Sequence, residues 1–345
     1  MAADPEAPTA RVALADAHAA AGDFTRAAQA LRQALDRPGA ATADMPYRIA
    51  AFEMAAGSRR ALPTLRQALD AHGDSLVGGD PLERVPALMS AANVAAQAGA
   101  RRDVERVLAL RARTDPTLPF GVLETAQLVP AWRATLLLAM GVDDAALRRD
   151  VDAAIAAADS VPGDLGKQLR QQLSTLPYTA FLQQGDAAHL ATLRRWTGRE
   201  PAPELRILAA LAAGDTTEAR RLAATLAPPD TTAAIGAPTA TLRQFARAEV
   251  YLALGEPREA LRAYEAIDAT RFPAVTAVPD PRWALYARSF LVRGQLHEQL
   301  GDATAAAASY ERFLELWKDA DPSLGGQLRA AREGLARVRR GAVRG

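Results

Sequence analysis

The sequence predicts an all-α protein, a right-handed superhelical solenoid of about eight antiparallel helical hairpins ended by a C-terminal capping helix. Three observations lead there. Alanine, the strongest helix former, makes up roughly a quarter of the 345 residues. Glycine followed by a polar or small residue recurs between two alanine-rich stretches along the whole chain. No segment shows a convincing strand pattern.

The clearest turn signals are Gly22-Asp23, Gly185-Asp186, Gly214-Asp215, Gly255-Glu256 and Gly301-Asp302, with weaker copies at Gly57, Gly99 and Gly141. The glycines step by 35, 42, 42, 44, 29, 41 and 46 residues. Each can take the left-handed conformation that ends a helix, and the acid beside it can begin the next one. Eight hairpins follow, stacked so that neighbours bury a continuous core.

The organisation is a leader at 1–8, the repeat array at 9–322, a capping helix at 323–340 and a basic tail at 341–345. The first helix begins near Thr9 with nothing before it to cover its outer side, so the chain is expected to be part of a larger chain or assembly. At the other end Asp321-Pro322 starts a helix whose Leu324, Leu328, Ala331, Leu335 and Val338 form one stripe opposed by arginines, as suits a repeat edge. Loops are expected at Gly78-Gly79-Asp80-Pro81, Asp115-Pro116 with Pro119, Pro228-Pro229-Asp230 and Pro273 through Pro281. The last, inside 268–283, carries Phe272, Val275 and Val278; it either packs on its own scaffold or binds.

The seventh hairpin places Ala248, Tyr251, Gly255, Ala260, Tyr264 and Ile267 in one frame. The eighth repeats it with Gly294, His297, Gly301, Ala306, Tyr310 and Phe313, and the first with Ala15, His18, Gly22, Ala27, Leu31 and Ala34. This frame resembles the tetratricopeptide repeat, a 34-residue unit in which small residues let two helices cross closely and larger ones fill the groove against the next hairpin. The resemblance implies that Ala248 meets Ala260 and that Gly294 meets Ala306. Residues Pro281 to Pro322 also resemble the last repeat in the C-terminal regions of bacterial serine/threonine kinases and related signalling proteins, which implies a regulatory partner. The chain has no glycine-rich, catalytic-loop or magnesium-binding motif of a kinase.

In tetratricopeptide repeats the first helix of each hairpin lines a concave groove. Carried over, those places are Asp16, Met89, Asn93, Phe245, Glu249, Leu252, Arg288, Leu291, Gln295 and Glu298. The expected binding set is Asn93, Phe245, Glu249, Arg288, Leu291, Gln295 and Glu298. Asn93, the chain's only asparagine, stands where related peptide-binding repeats hold a ligand backbone through the paired donor and acceptor of the amide. Met89 stands where the carboxylate-clamp subtype has lysine. Phe245 and Leu291 are apolar anchors in this scheme, with Arg288 and Glu249 setting orientation; Phe245 fits ordinary core equally well.

Chemistry is scarce elsewhere. The absence of cysteine excludes disulfides, zinc-thiolate sites, iron–sulfur clusters and thiol nucleophiles. Forty-one basic against 40 acidic side chains give a net charge of +1, too balanced for nucleic acid as the default partner. No apolar run approaches the roughly 18 residues of a membrane span, and acids interrupt the first twenty residues, so no secretory signal is read. The arginine-rich, alanine-rich composition reads as bacterial, and with no secretory signal read a cytoplasmic location is expected. His18, His72, His189 and His297 are too far apart to share a metal. Asp144 and Asp321 stand at helix starts, and Asp150 and Asp152 point to opposite sides of a helix. There is no phosphate-binding loop and no Gly-x-Ser-x-Gly elbow. No catalytic residue, cofactor or metal is therefore assigned. The function expected is a noncatalytic protein-interaction or sensory scaffold that takes a protein or peptide partner in its groove. The alternative is an enzyme on a helical toroid with an acidic inner pocket.

Overall fold

A computed structural model describes residues 8–36, 42, 44–73, 81–113, 125–226, 238–269, 275, 276 and 278–342. These residues form eighteen α-helices and no strand. Eight hairpins are present, and each pairs two helices in sequence. They are α1 (Pro8–Ala20) with α2 (Phe24–Leu35), α3 (Met45–Ala55) with α4 (Ala61–His72), and α5 (Pro81–Gln97) with α6 (Arg101–Ala112). Next come α7 (Thr125–Ala139) with α8 (Ala145–Ser160), then α10 (Thr175–Gln184) with α11 (Ala187–Thr197). The last three are α12 (Pro203–Ala212) with α13 (Thr216–Ala223), α14 (Pro238–Ala253) with α15 (Pro257–Ala266), and α16 (Arg282–Gln299) with α17 (Ala303–Leu316). The capping helix α18 spans Gly325–Ala342, and Asp321-Pro322 opens a short 3-10 turn before it.

All eight expected turn glycines have positive φ, from 68° at Gly99 to 82° at Gly301. The local reason is visible in the hydrogen bonds. The amide of Asp23 donates to the carbonyl of His18 at 2.9 Å, and Asp215, Glu256 and Asp302 bond back to Ala210, Tyr251 and His297 in the same way. The acids then cap the next helix: Asp23, Asp186, Asp215 and Asp302 accept backbone amides of Arg26, Ala188, Glu218 and Ala305 at 2.8–3.0 Å. Glu256 makes no such cap, since its longer side chain does not fold back. Asp144 caps α8 through the amide of Leu147, and the amide and the Arg101 guanidinium hold its carboxyl below the usual range.

One helix was not legible. Between hairpins four and five, α9 (Gly163–Gln172) sits inside the 44-residue glycine step; its Gly163 and Gly166 read as breakers. The expected loops near 78, 116 and 229 fall outside the described residues, except that Pro81 already opens α5. Ala248 and Ala260 are both fully buried in the core. Ala306 is fully buried too, and a Cβ on Gly294 would stand 2.6 Å from the ring of Tyr310.

The array also differs from an open spiral in one respect that decides what the inner face can do. Helix α16 packs on α5 and α7, so the eighth hairpin returns to hairpins two to four. The last carbonyls of a helix have no intrahelical donor. Here α16, α17 and α18 and the turns between them supply donors. The Trp317 indole donates to the Gln97 carbonyl at 2.9 Å, the Asp321 amide to Gly99 at 2.9 Å, and the Gln327 amide to Met140 at 3.1 Å. Glycine makes the approach possible. A Cβ on Gly57, Gly99 or Gly141 would lie 2.6–2.8 Å from Arg312, Ala320 or Arg288, whereas Gly185, Gly214, Gly255 and Gly301 face open space.

An ion pair spans the same junction, with Arg59 donating to Glu315. The Arg59 hydrogen bond is the largest cause holding the Glu315 carboxyl below its ordinary range. A carboxylate depressed in the folded state contributes stability that is present above its unfolded pKa and is lost as pH falls through the folded one. Wild type is therefore expected to lose more stability than Glu315→Gln on acidification below about pH 4.5. Urea midpoints of both proteins between pH 6 and pH 3 measure this; parallel curves would remove Glu315 from the junction.

Candidate functional site

Of the residues expected to line the groove, Asp16 lies on α1 and the others on α5, α14 and α16, and the return of α16 packs it against α5 and α7. Asn93 is fully buried. Its Nδ2 donates to Thr276 Oγ1 at 3.0 Å, and its Oδ1 accepts the backbone N–H of Asp280 at 2.8 Å. The amide of Thr276 donates to Ser90 Oγ at 3.2 Å. The described part of the 268–283 loop thus packs on the scaffold, with Val275 against the core and Val278 exposed. Asp280 is in turn fixed by the guanidinium of Arg282, at 2.6 and 2.7 Å. Both are buried, and each is the other's charge partner.

Arg288 sits farther along α16 at the meeting of four hairpins. It donates to the Ala139 carbonyl at 3.1 Å, to Gln183 at 2.6 Å and to Gln327 at 3.1 Å. Burial pushes its pKa down, against the attraction of Glu249 and Tyr264. The Tyr264 hydroxyl donates to Glu249, and burial together with that carboxylate raises the phenol well above its ordinary value. Phe245 and Leu291 are buried in the main core, and Met89 is fully buried. Gln295 is exposed. Glu298 accepts from Arg337 at 2.8 and 3.0 Å and from Tyr310 at 2.8 Å, and the Arg337 bond holds its carboxyl low. Asp16 pairs with Arg48, and Leu252 is an exposed apolar side chain on α14.

The structure therefore brings Glu249 and Arg288 together. It joins Asn93 to the segment that leads into α16. It gives Gln295 no such role. Partners that sequence reasoning missed are Ser90, Thr276, Asp280, Gln183 and Gln327. None lies on a repeat position of the frame, and all act through the long-range return of the last hairpin, which leaves no periodic signal. Among the described residues no three His, Asp or Glu side chains form a metal cluster. No described helix is long and apolar enough to cross a membrane.

Comparison with known proteins locates the repeat resemblance. The tetratricopeptide repeat family model matches residues 287–317, most of α16 and all of α17. No curated protein matches the chain. Among solved structures, the crystal structure of the P58(IPK) TPR domain aligns over 96% of this chain and 98% of that one, with 16% identity and a TM-score of 0.27.

Proposed function

We propose that the chain is a noncatalytic scaffold whose inner face holds an extended protein or peptide segment, with Asn93, Glu249, Arg288 and Glu298 as its polar contacts, Phe245 and Leu291 as apolar support, and Gln295 at the open edge. A role as a repeat region of a bacterial signalling protein, in the cytoplasm, fits this reading through the resemblance of residues 281–322. One observation carries it. Asn93 accepts the main-chain N–H of Asp280 while its Nδ2 donates to the hydroxyl of Thr276, both in the segment that leads into α16. That is the bonding an asparagine would offer a ligand strand, and residues 275–280 make it from within the chain. A partner segment of similar shape competes with this internal one. Helical repeat stacks suit such binding because their inner helices present a continuous surface. The acids of the inner face are taken up by Tyr264, Arg337 and Tyr310, which favours a binding role over an acidic catalytic pocket.

The test uses the full chain immobilised in lysate of its source, with elution by a synthetic peptide of residues 275–281. A discrete protein released by the peptide and lost from Asn93→Ala is the expected result. Retained proteins indifferent to both, or turnover of a small substrate by the chain, would remove the proposal.

A further inference from the structure

On the edge of the array opposite the glycine turns lies a cleft of about 390 Å³, walled by Tyr178, Leu193, Thr197, Arg199, Pro201 and Arg243. It is formed where α10 and α12 begin and α11 ends, beside the second turn of α14. Three features of it are unusual together. Tyr178 is 3% exposed, and its buried hydroxyl has no hydrogen-bond partner. A phenol in that state loses the bond it had with water and gains nothing in return. Helix α12 starts at Ala202 and Pro203 beside the cleft with no side-chain cap bond, and Glu204 is the acid in its first turn. The guanidinium of Arg243 reaches Glu204 at 3.1 and 3.3 Å, while the same carboxylate is also met by Arg247 at 2.8 Å. Glu204 is thus answered by two arginines, so the group of Arg243, Arg247 and Glu204 carries one net positive charge beside the cleft.

We infer that this cleft binds a small monocarboxylate on a compact apolar stem, its oxygens taking the hydroxyl of Tyr178 and the guanidinium of Arg243. A single charge fits better than a phosphate dianion, since Glu204 and Glu200 stand close by and would repel a second one. Leu193, Pro201 and the tyrosine ring suit an apolar stem. The site is separate from the inner face and independent of what binds there.

Isothermal titration of the full chain tests this with sodium benzoate as a free acid, N-acetyl-phenylalanine as a chain end, and benzamide as the neutral control. At least one acid binds saturably at one site, and whichever binds more tightly identifies the source of the carboxylate. Benzamide binds on the order of tenfold more weakly, the loss expected for one charge-assisted bond. Tyr178→Phe weakens the acid by about the same factor and leaves the melting temperature unchanged, because the hydroxyl has no internal partner to lose. Arg243→Gln weakens it further, with Glu204 still held by Arg247. Absence of saturable binding by either acid, equal binding by Tyr178→Phe, or a lowered melting temperature in that variant would each overturn the inference.

Discussion

Trp317→Ala should cost about 3–5 kcal/mol of stability, the range for deleting a buried large aromatic. Trp317 is fully buried at the end of α17, its ring 4.7 Å from that of Phe313 and in contact with the Gly99 turn. Its indole N–H also serves the otherwise free carbonyl of Gln97. The alanine variant loses the apolar contact and leaves that carbonyl without its donor. Trp317→Phe separates the two effects, because it keeps most of the ring packing and should cost only the hydrogen-bond share, about 1–3 kcal/mol. Urea unfolding measures both. An alanine variant within about 1 kcal/mol of wild type would mean that the last hairpin is not anchored on hairpins two to four.

Gly294→Val should be the second large loss, about 1–3 kcal/mol or more from overpacking. The Tyr310 ring on α17 lies between the bare backbone of Gly294 on α16 and that of Gly334 on α18. A Cβ would come within 2.6 Å of the ring at the first position and 2.4 Å at the second. Tyr310 is fully buried and its hydroxyl bonds Glu298, so the ring cannot swing away without breaking that bond. Burial and the Glu298 carboxylate both push this phenol's pKa upward, which keeps it a neutral donor. Shrinking the ring should relieve the clash. The cost of Gly294→Val in a Tyr310→Leu background is expected to fall well below its cost in wild type, a non-additivity that thermal unfolding of the double-mutant cycle reads. Equal costs in both backgrounds would place the strain somewhere other than this ring.

Much of the fold was legible because its signals are local. A glycine with positive φ marks each of the eight turns, and at Gly22, Gly185, Gly214 and Gly301 the aspartate beside it caps the next helix. The apolar stripe of the cap was readable for the same reason: Leu328, Ala331 and Val338 of α18 are buried, as is Leu324 in the 3-10 turn before it. What was not legible is long-range. Gly57, Gly99 and Gly141 look like any other turn glycine in sequence, yet they meet side chains of the last hairpin and the cap, whereas Gly185, Gly214, Gly255 and Gly301 face open space. Asn93 stood out as a lone asparagine with a paired donor and acceptor, and in the folded chain that amide bonds the Thr276 hydroxyl and the Asp280 main-chain N–H. By sequence alone Arg288 is an orienting charge on an open groove. In the folded chain it joins Ala139, Gln183 and Gln327 from three other helices or turns, which no periodicity in one segment encodes. Tyr178 was missed because nothing in its sequence neighbourhood separates an orphan phenol from a core one.

The central claim is that the last hairpin closes onto the turns of hairpins two to four. Electron–electron dipolar spectroscopy on a chain labelled at Ser58→Cys and Lys318→Cys tests it most directly, since both positions line one recess at that junction and no native cysteine competes for the label. The closed array requires a single narrow distance at the short end of the measurable range, broadened and lengthened in the Trp317→Ala background. A long, broad distribution in the wild-type background would show that the array is open and contradict the closure.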